Sequence, residues 1–324
     1  METLGGARPK VLCTRHLPDA VLARLAAAVD LDWQRADTPL SREELLRRVA
    51  PVEGLVVMPG ETVDAELLDA APHLRAVATV SVGYDHVDVA ECTRRAVAVG
   101  NTPGVLTDAT ADLTIALLLG VARRLVEAHE AVVTGRWPAW DPNFMLGRDL
   151  VGATLGIVGL GRIGTAVATR ARAFKMEIVA TARRPRAVEG VRIVDLDELL
   201  ARSDFVSLHV ALAPETRHLI GAAQLARMRP DAVLINTARG AVVDQAALTA
   251  ALQSGTIAGA GLDVFEEEPI APDDPLCRLQ NCLVLPHIGS ATARTRVAMA
   301  DLAVDNLLAA LGGAPMPNPV VARP

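Results

Sequence analysis

The feature that most constrains the fold of this chain is a glycine-rich turn, Gly159-Leu160-Gly161-Arg162-Ile163-Gly164. The apolar run Leu155–Val158 precedes this turn, and residues with helical spacing follow it. A G-x-G-x-x-G string can arise by chance, but between a strand and a helix it is the fingerprint of dinucleotide binding. The glycines then allow a tight turn, a close approach of pyrophosphate to the backbone, and close packing of the helix on the strand. The predicted cofactor contacts are Gly159, Gly161, Arg162, Ile163 and Gly164 at the helix start. The alternative is a glycine turn that binds nothing.

The end of the next predicted strand, Glu177–Thr181, discriminates between the two nicotinamide cofactors. An NAD site usually carries Asp or Glu about 20 residues after the glycine turn, where it holds the ribose 2′-hydroxyl. Here the chain continues Ala182-Arg183-Arg184-Pro185-Arg186, without a carboxylate. Guanidinium groups match phosphate oxygens, so Arg183, Arg184 and Arg186 predict contacts to a 2′-phosphate and a preference for NADPH. NADH remains the alternative if this segment is only a solvated basic loop.

Short apolar runs alternate with amphipathic stretches along most of the chain. This alternation is typical of parallel sheets covered by helices on both faces, and 324 residues suit two such domains. In the first series we predict strands at Lys10–Thr14, Gly54–Met58, Leu74–Val80 and Ala96–Val99, with helices at Asp19–Val29 and Arg42–Val49. In the second we predict strands at Thr154–Val158, Glu177–Thr181, Phe205–His209, Ala232–Asn236, Ala258–Asp263 and Leu283–Leu285, with helices at Arg162–Phe174 and Gln245–Gln253.

The end of the chain and the segment between the two series complete the predicted organisation. The helical pattern Ala293–Leu311 follows the second series and is expected to return to the first domain, which makes that domain discontinuous. We therefore predict one domain of residues 1–101 with 291–324, and a second domain of residues 102–290. Between the series lie a long helix, Asp108–Val121, and an irregular stretch containing Trp137 and Trp140. Large aromatic side chains on an irregular segment indicate an arm that docks on another surface.

Charge and cysteine content argue against several classes of function. The net charge of −6 is spread along the whole length, so nothing favours nucleic acid or an anionic membrane. The longest apolar run, Ile115–Ala122, is far shorter than the ~20 residues of a spanning helix, and we expect a cytoplasmic protein. Cys277 and Cys282 lack neighbouring histidines, so we expect no metal site and reduced, mostly buried thiols.

Several independent motifs occur in an order that resembles a known family. Three lie near the ends of predicted strands: Ile235–Gly240, Gly261–Pro269 and Leu285–Ser290. Others are Ser81–His86, Thr102–Asp108, the segment around Trp137 and Trp140, and Pro286–Thr292. With the glycine turn they resemble the D-2-hydroxyacid dehydrogenase family over nearly the whole chain, and within it they are most similar to the glyoxylate/hydroxypyruvate reductases.

The resemblance implies a catalytic set of Arg239, Glu268 and His287. A guanidinium matches a carboxylate bidentately, so Arg239 would hold the substrate carboxylate. Reduction builds negative charge on the keto oxygen, which His287 would protonate as the general acid. A neighbouring carboxylate favours the protonated imidazole that reduction needs, and Glu268 would supply it. From composition alone, the glutamates at 266, 267 and 268 are equivalent; Glu268 is chosen because it precedes a proline, as in the family.

The resemblance also implies further contacts. The substrate would meet backbone N–H groups of Val82 and Gly83, and Asp263 would bind the nicotinamide amide. The implied substrate contacts are Val82, Gly83, Arg239, His287, Ser290 and Trp140. The implied cofactor contacts, beyond the glycine turn and the arginines, are Thr107, Thr216, Thr237, Ala238, Asp263, His287 and Gly289. His209 and His218 are interpreted as structural or solvated.

For the fold, the resemblance implies two doubly wound parallel-sheet α/β domains, a Rossmann-type cofactor domain and a flavodoxin-like, discontinuous substrate domain, with substrate bound between them. For activity, it implies NADPH-dependent reduction of glyoxylate and hydroxypyruvate to glycolate and D-glycerate. The segment Val105–Leu150 would form a homodimer. The alternatives are another D-2-hydroxyacid dehydrogenase, of the D-lactate or phosphoglycerate type, and a cofactor-sensing interaction protein on the same scaffold.

Overall fold

The computed structural model describes residues 7–36, 38–183 and 187–322. These residues form two compact units: unit 1 runs to Leu106 and resumes at Ala291, and unit 2 is continuous from Thr107 to Ser290. The sequence placed the first boundary after residue 101, whereas in the structure it falls at the start of the long helix that begins at Thr107.

Unit 1 is built around a five-stranded sheet in which every strand is parallel to its neighbours. Its strands are β1 (Lys10–Cys13), β2 (Asp30–Trp33), β3 (Gly54–Val57), β4 (Ala76–Thr79) and β5 (Ala98–Gly100). Its helices are α1 (Asp19–Ala28), α2 (Arg42–Val49), α3 (Ala65–Ala70), α4 (Val89–Arg94) and α11 (Ala293–Leu311). The strand order β2-β1-β3-β4-β5 is that of flavodoxin-like sheets.

Local sequence explains where the helices of unit 1 begin. Ser41, Asp64 and Asp88 each precede a helix, and their side chains accept a hydrogen bond from a backbone N–H of the first turn. Such caps satisfy N–H groups that have no partner inside the helix. The returning helix α11 packs on β3, β4 and β5. Strand β2 was not predicted because only half of its side chains are even partly buried at the sheet edge.

Unit 2 contains a seven-stranded parallel sheet. Its strands are β6 (Thr154–Val158), β7 (Glu177–Thr181), β8 (Arg192–Ile193), β9 (Phe205–Leu208), β10 (Val233–Asn236), β11 (Gly259–Leu262) and β12 (Cys282–Val284). Its helices are α5 (Thr107–Ala122), α6 (Leu125–Val133), α7 (Arg162–Ala173), α8 (Leu196–Arg202), α9 (Ala222–Leu225) and α10 (Gln245–Ser254). The order β12-β11-β10-β9-β6-β7-β8 is the Rossmann arrangement with one extra strand. The predicted fold class, two doubly wound parallel α/β domains, is confirmed.

The order of strands in unit 2 fixes where a ligand can bind. The chain leaves β6 toward β7 on one side and returns through β9 to the other side, so the strand order reverses between β6 and β9. Open α/β sheets bind ligands outside the carboxyl ends of their strands, at such a reversal. The glycine turn at Gly159 directly follows β6. It therefore lies at the edge where a nucleotide is expected.

The described part of the chain shows neither a membrane-spanning helix nor a metal centre. No helix there combines the length and the apolar character needed to cross a bilayer. Within the same residues, no three His, Cys, Asp or Glu side chains group in a way that could hold a metal ion. All four cysteines are free thiols, with Cys13 and Cys92 buried and Cys277 exposed. Burial raises the pKa of Cys13 to about 12, so this thiol stays protonated.

Candidate active site

Three neighbouring strands of unit 2 bring the predicted catalytic residues to one edge of the sheet. Arg239 follows β10, Asp263 follows β11 and His287 follows β12. These strands lie side by side and are parallel, so their carboxyl ends meet at the same edge. Residues far apart in sequence are thereby placed on adjacent loops.

The imidazole of His287 is paired with the carboxylate of Glu268. His287 Nδ1 lies 2.6 Å from Glu268 Oε2, and each side chain is about one third exposed. An ionised carboxylate only accepts hydrogen bonds, so Nδ1 carries the shared hydrogen. The other ring nitrogen, Nε2, is therefore the one that can give up or take a proton. The geometry has the form of an acid/base group oriented by a carboxylate.

Glu268 is held as an anion by its surroundings. Burial, the largest single influence, would raise the pKa of this carboxyl, but the surrounding groups together outweigh it, first among them the hydrogen bond and positive charge of His287. The N–H of Phe265, which donates to Oε1 at 3.0 Å, and the charge of Arg239 lower the pKa further. The net result is a pKa below that of an ordinary glutamate. Glu268 is thus ionised at neutral pH and available to compensate positive charge on the imidazole.

Asp263 fixes the backbone that directly follows His287 in the chain. Its two carboxylate oxygens accept the N–H groups of Ile288 and Gly289, each at 2.7 Å. Asp263 is almost fully buried, and burial raises its pKa in spite of these two hydrogen bonds. His287 itself has a φ of +53°, in the left-handed region that non-glycine residues rarely adopt. Such a conformation persists only where surrounding contacts enforce it, and here Asp263 and Glu268 enforce it from two sides.

Arg239 and Glu268 are brought together by a close contact between their two loops. Arg239 precedes the short 3-10 helix Gly240–Val242, and an added Cβ at Gly240 would lie 1.8 Å from the carbonyl carbon of Phe265. Only glycine allows the two backbones to approach this closely. The guanidinium of Arg239 also donates from Nη1 to the carbonyl of Ala238 at 2.8 Å. Gly240 was not singled out from the sequence, because nothing local indicates which backbone it touches.

Two other histidines of unit 2 have surroundings that differ from those of His287. His209 follows β9, and burial lowers its pKa to about 3, so it is neutral at physiological pH. Its Nε2 lies 2.8 Å from the hydroxyl of Ser207. His218 pairs with Glu266 at 2.7 Å. The glutamate run is thereby resolved: Glu266 contacts His218, and Glu268 contacts His287.

The glycine turn has the geometry that a dinucleotide requires. Gly159 has a φ of +99°, and Gly161 is the N-cap of α7. An added Cβ at Gly164 would lie 2.2 Å from the carbonyl oxygen of Gly159, so the helix packs directly on the turn. An added Cβ at Gly161 would meet nothing within 4 Å, which leaves that face open to a ligand. The first N–H groups of α7, at Arg162, Ile163 and Gly164, have no acceptor inside the helix, and this cradle fits a pyrophosphate.

The predicted 2′-phosphate contacts are described only in part. Arg183 follows β7, is exposed, and has Nη1 3.5 Å from Oε1 of Glu215, which is also exposed. Arg184 and Arg186 lie outside the described residues. Thr216, next to Glu215, has its hydroxyl engaged in its own loop, where it accepts from the N–H of Ala213 and donates to the carbonyl of Ala211.

Other predicted cofactor contacts take part in hydrogen bonds within unit 2. The hydroxyl of Thr114 donates to the carbonyl of Thr110, so the hydroxyl of Thr237 donates to Thr114, at 2.9 Å. This bond joins the end of β10 to α5. The N–H of Ala238 donates to the side-chain oxygen of Asn236, and the N–H of Gly289 donates to Asp263. Thr107 is the first residue of α5. Their roles toward a cofactor stay predictions.

The remaining predicted substrate contacts are distributed over three segments of the chain. Val82 and Gly83 are in unit 1, on the loop after β4. Ser290 ends unit 2, three residues after His287. Trp140 belongs to the irregular segment after α6 and is 80% exposed.

Comparison with known proteins agrees with this geometry. The family model for the D-isomer specific 2-hydroxyacid dehydrogenase NAD-binding domain matches residues 115–289. The chain therefore belongs to the D-isomer specific 2-hydroxyacid dehydrogenase family. It is an NAD(P)-dependent oxidoreductase that acts on CH–OH groups.

Individual relatives resemble the whole chain. A glyoxylate reductase from Korarchaeum cryptofilum (strain OPF8) is 50% identical over 316 residues, covering 96% of this chain and 95% of that protein. A solved protein from Thermus thermophilus is 49% identical with a TM-score of 0.92, covering 96% of this chain and 100% of that one. The NADPH-dependent glyoxylate/hydroxypyruvate reductase from Sinorhizobium meliloti, solved with NADP and malonate, is 38% identical with a TM-score of 0.86 and 97% coverage of both chains.

Proposed function

We propose that this protein reduces glyoxylate and hydroxypyruvate to glycolate and D-glycerate with NADPH. The observation that carries the proposal is the His287–Glu268 pair, held at 2.6 Å on the carboxyl edge of a nucleotide-binding sheet. The names of relatives at about half identity, which are glyoxylate reductases, support the choice of substrate.

Arg239 binds the carboxylate of the substrate in this proposal. Its charge reaches Glu268, since it contributes to the lowered pKa of that group, so the guanidinium lies near the acid/base pair. A bidentate guanidinium–carboxylate contact would fix a 2-oxo acid in one orientation, with its keto oxygen toward the histidine.

His287 supplies the proton. NADPH, when bound, would supply the hydride that reduces C2 of the oxo acid. Nε2 of His287 gives its proton to the keto oxygen, which becomes the hydroxyl of the product. Glu268 compensates the positive charge that the ring carries before this transfer, and Asp263 keeps the ring in place through the following backbone. Positioned general acids typically contribute 10²–10⁴-fold to rate.

The preference for NADPH is supported by the end of β7. No carboxylate follows this strand directly, and Arg183 is exposed there. Its contact with Glu215 joins two exposed groups at 3.5 Å, and such pairs contribute little free energy. Arg183 can therefore exchange Glu215 for a phosphate at small cost. The Sinorhizobium relative, by its description, depends on NADPH.

The test is a set of steady-state kcat/KM values. Glyoxylate, hydroxypyruvate, pyruvate and 3-phosphohydroxypyruvate are each assayed with NADPH and NADH. We expect the first two substrates to exceed the other two by at least tenfold, and NADPH to exceed NADH. Pyruvate or 3-phosphohydroxypyruvate as the best substrate would replace this proposal with a D-lactate-type or phosphoglycerate-type dehydrogenase. Tighter binding of NADH than of NADPH would overturn the cofactor assignment.

We also propose that the protein is a homodimer formed through residues 105–150. Eight large apolar side chains of α6 and the segment around it are more than half exposed: Leu125, Val126, Val132, Val133, Trp137, Trp140, Leu146 and Val151. Large exposed apolar areas mark interaction sites between proteins, and these eight side chains lie within one stretch of the sequence. Trp140 would then be available to a second copy, in keeping with its predicted contact to substrate.

Light scattering coupled to size exclusion tests the dimer. We expect twice the chain mass of 34.1 kDa at micromolar concentration, and the chain mass for a Trp137→Glu/Val133→Glu double variant. A monomeric wild type would refute the proposal. Phe174→Glu is the matched control, because Phe174 is also an exposed apolar side chain but follows α7, outside the proposed interface. This variant should leave the mass unchanged.

A further inference from the structure

We propose that Asn101 is a positioning residue that aims the main-chain N–H groups of Val82 and Gly83 at the substrate carboxylate. This inference rests on the proposed function and on the contact, implied by the family resemblance, of these two N–H groups with the carboxylate that Arg239 also binds. The observations that carry it lie entirely in unit 1, in the loop after β4 and the segment after β5.

Residues of the segment after β5 donate hydrogen bonds to two carbonyl groups of this loop. The N–H of Thr102 donates to the carbonyl of Ser81 at 2.9 Å, and Nδ2 of Asn101 donates to the carbonyl of Val82 at 2.7 Å. Two consecutive carbonyls therefore face the same two adjacent residues. In an ordinary extended segment, consecutive carbonyls point in opposite directions.

The direction of the carbonyls fixes the direction of the N–H groups. In a planar trans peptide, the C=O and the N–H point to opposite sides. The carbonyl of Ser81 thus determines where the N–H of Val82 points, and the carbonyl of Val82 determines where the N–H of Gly83 points. Both N–H groups point away from Asn101 and Thr102, on one side of the loop. Successive N–H groups arranged in this way form a concavity that binds anions.

Asn101 can hold this position because its own backbone is fixed. Its N–H donates to the carbonyl of Asn318 at 3.2 Å, and its carbonyl accepts from Nδ2 of Asn306 at 2.8 Å. Asn306 is fully buried on α11, and an added Cβ at Gly100 would lie 2.8 Å from the Cβ of Asn306. The backbone of Asn101 is therefore held beside a close contact between Gly100 and helix α11.

A second chain of hydrogen bonds holds the next carbonyl of the loop. The hydroxyl of Ser81 donates to the carbonyl of Gly83 at 2.5 Å, so the hydroxyl of Thr79 must donate to Ser81, at 2.7 Å. Thr79 then accepts from Nε2 of His86, at 2.9 Å. This chain determines the direction of the N–H of Tyr84, which is not one of the two proposed donors. Ser81 and Asn101 thus contribute similar bonds to one loop but act on different N–H groups.

The experiment compares Asn101→Ala and Ser81→Ala, with Asn281→Ala as the control. Asn281 also donates from Nδ2 to main-chain carbonyls, those of Leu252 and Ala258, but in unit 2. Steady-state kinetics with glyoxylate gives KM and kcat, and fluorescence titration gives the Kd of NADPH. Hydrogen exchange reports the amides of residues 80–85 with and without oxamate, a carboxylate that resembles a 2-oxo acid and is not reduced. Asn101→Leu, which fills the same space without a donor, replaces Asn101→Ala if that variant does not fold.

For Asn101→Ala we expect KM to rise at least tenfold, with kcat changed less than threefold and the Kd of NADPH changed less than twofold. Loss of binding that ground state and transition state share raises KM and leaves kcat. Oxamate should slow exchange of the amides of Val82 and Gly83 at least tenfold in the wild type and less than threefold in Asn101→Ala, because a carboxylate accepts from these N–H groups only when they are aimed at it. Ser81→Ala should raise KM less than threefold, and Asn281→Ala should change neither KM nor exchange.

Different results would overturn different statements. A wild-type protein that reduces no 2-oxo acid would refute the proposed function, and protection of the Val82 and Gly83 amides by oxamate would still test the positioning by Asn101. With an active wild type, an unchanged KM in Asn101→Ala refutes this inference whatever the exchange rates do. Equal increases of KM in Asn101→Ala and Ser81→Ala would also refute it, because they would indicate general loosening of the loop.

Discussion

The carboxyl edges of the two sheets are built from different kinds of group. In unit 2 the edge carries ionised side chains: Glu268 is an anion beside His287, and Arg239 lies near them. In unit 1 the loop after β4 is arranged by a neutral amide and neutral hydroxyls, those of Asn101, Ser81 and Thr79. Under the proposed function, the His287–Glu268 pair serves the proton transfer, and Arg239 shares recognition of the carboxylate with main-chain dipoles of unit 1.

This difference has a physical reason. A proton donor must change its charge during reaction, so it needs a partner that compensates that charge. Groups that only bind a carboxylate need a fixed direction, and neutral hydrogen bonds fix direction without the cost of burying an ion. The comparison therefore predicts that changes at His287 and Glu268 alter kcat and its pH dependence, whereas changes in the unit 1 loop alter KM.

The largest effect is expected for His287→Ala. Removing the proton donor should lower kcat for glyoxylate reduction by about 10²–10⁴-fold, with the Kd of NADPH changed less than threefold. His16→Ala is the matched control, because His16 also pairs with a carboxylate, Asp19 at 2.9 Å, but in unit 1. A His287→Ala enzyme with near-normal kcat would remove this residue from the mechanism.

Glu268→Gln should follow, with kcat lowered by about 10–100-fold, within the range of second-sphere effects on oriented imidazoles. The amide cannot compensate positive charge, so the loss should grow as pH rises. Glu268 has a lowered pKa in the folded state, so its ionised form stabilises the protein above the ordinary glutamate pKa of ~4.3 and loses this effect as pH falls through the folded pKa. Denaturation of both proteins from pH 7 to pH 3 should therefore give a stability difference that shrinks toward acid.

Glu266→Gln provides the control for this variant, since Glu266 pairs with His218 in the same loop. Its pH profile of kcat should match the wild type. If the pH profile of kcat shifted as strongly in Glu266→Gln as in Glu268→Gln, the loop as a whole, and not the Glu268–His287 pair, would determine how kcat depends on pH.

A smaller effect, on stability alone, is expected for Glu61→Gln in unit 1. Glu61 is the buried exception to the neutral edge: it accepts from Thr14 and from the N–H of Met58, and pairs with Arg15 at 2.7 Å. Loss of hydrogen bonds to a buried charged group should lower the free energy of unfolding by about 2 kcal/mol, measured in urea. Because Glu61 holds structure only, kcat should stay within twofold. A large loss of kcat would break the distinction between the two edges.

Glu53→Gln is the matched control, because Glu53 pairs with Arg75 at 3.1 Å in a partly exposed setting of the same unit. Its change in unfolding free energy should be clearly smaller than that of Glu61→Gln. Equal changes would show that burial of the Glu61–Arg15 pair adds nothing to its contribution to the free energy of unfolding.

The smallest effect is expected for Arg183→Ala. If this residue is one of three guanidiniums near the 2′-phosphate, its loss should weaken NADPH binding by about three- to tenfold and leave NADH binding unchanged. Arg172→Ala, which removes a guanidinium paired with Glu189 in the same unit, should affect neither. An equal loss for both cofactors would argue that Arg183 contacts a part that they share.

Much of the fold follows from pattern, and the exceptions lie at sheet edges. Buried strands such as β6 and β10 are continuous apolar runs, and their burial matches the prediction. Strands β2 and β8 were not predicted, because Asp30–Trp33 is half polar and Arg192–Ile193 is short and exposed. An edge strand buries few side chains, so its sequence carries little of the periodic signal.

The sequence predicts the residues of the site better than it predicts the contacts that hold them in place. Motif order points to Arg239, Glu268 and His287 and implies that the last two are paired, and in the structure their side chains lie 2.6 Å apart. The contacts that hold them join residues with no common motif: Gly240 on the backbone of Phe265, and Asp263 on the N–H groups after His287. Asn101 on Val82 is of the same kind. Tertiary packing alone makes such pairs adjacent, so no local rule can reveal them.

The return of α11 to unit 1 bears on the order in which the protein assembles during synthesis. Asn101 is held by Asn306 and Asn318, and Val320 donates to the carbonyl of Val99 beside it. All of unit 2 lies between these partners along the chain, so the ribosome completes the nucleotide-binding sheet first. Domains generally fold as units as they emerge. Unit 2 can therefore fold while the anion-binding loop still lacks its anchor, and that loop acquires its final shape only after residues 306–320 have been translated.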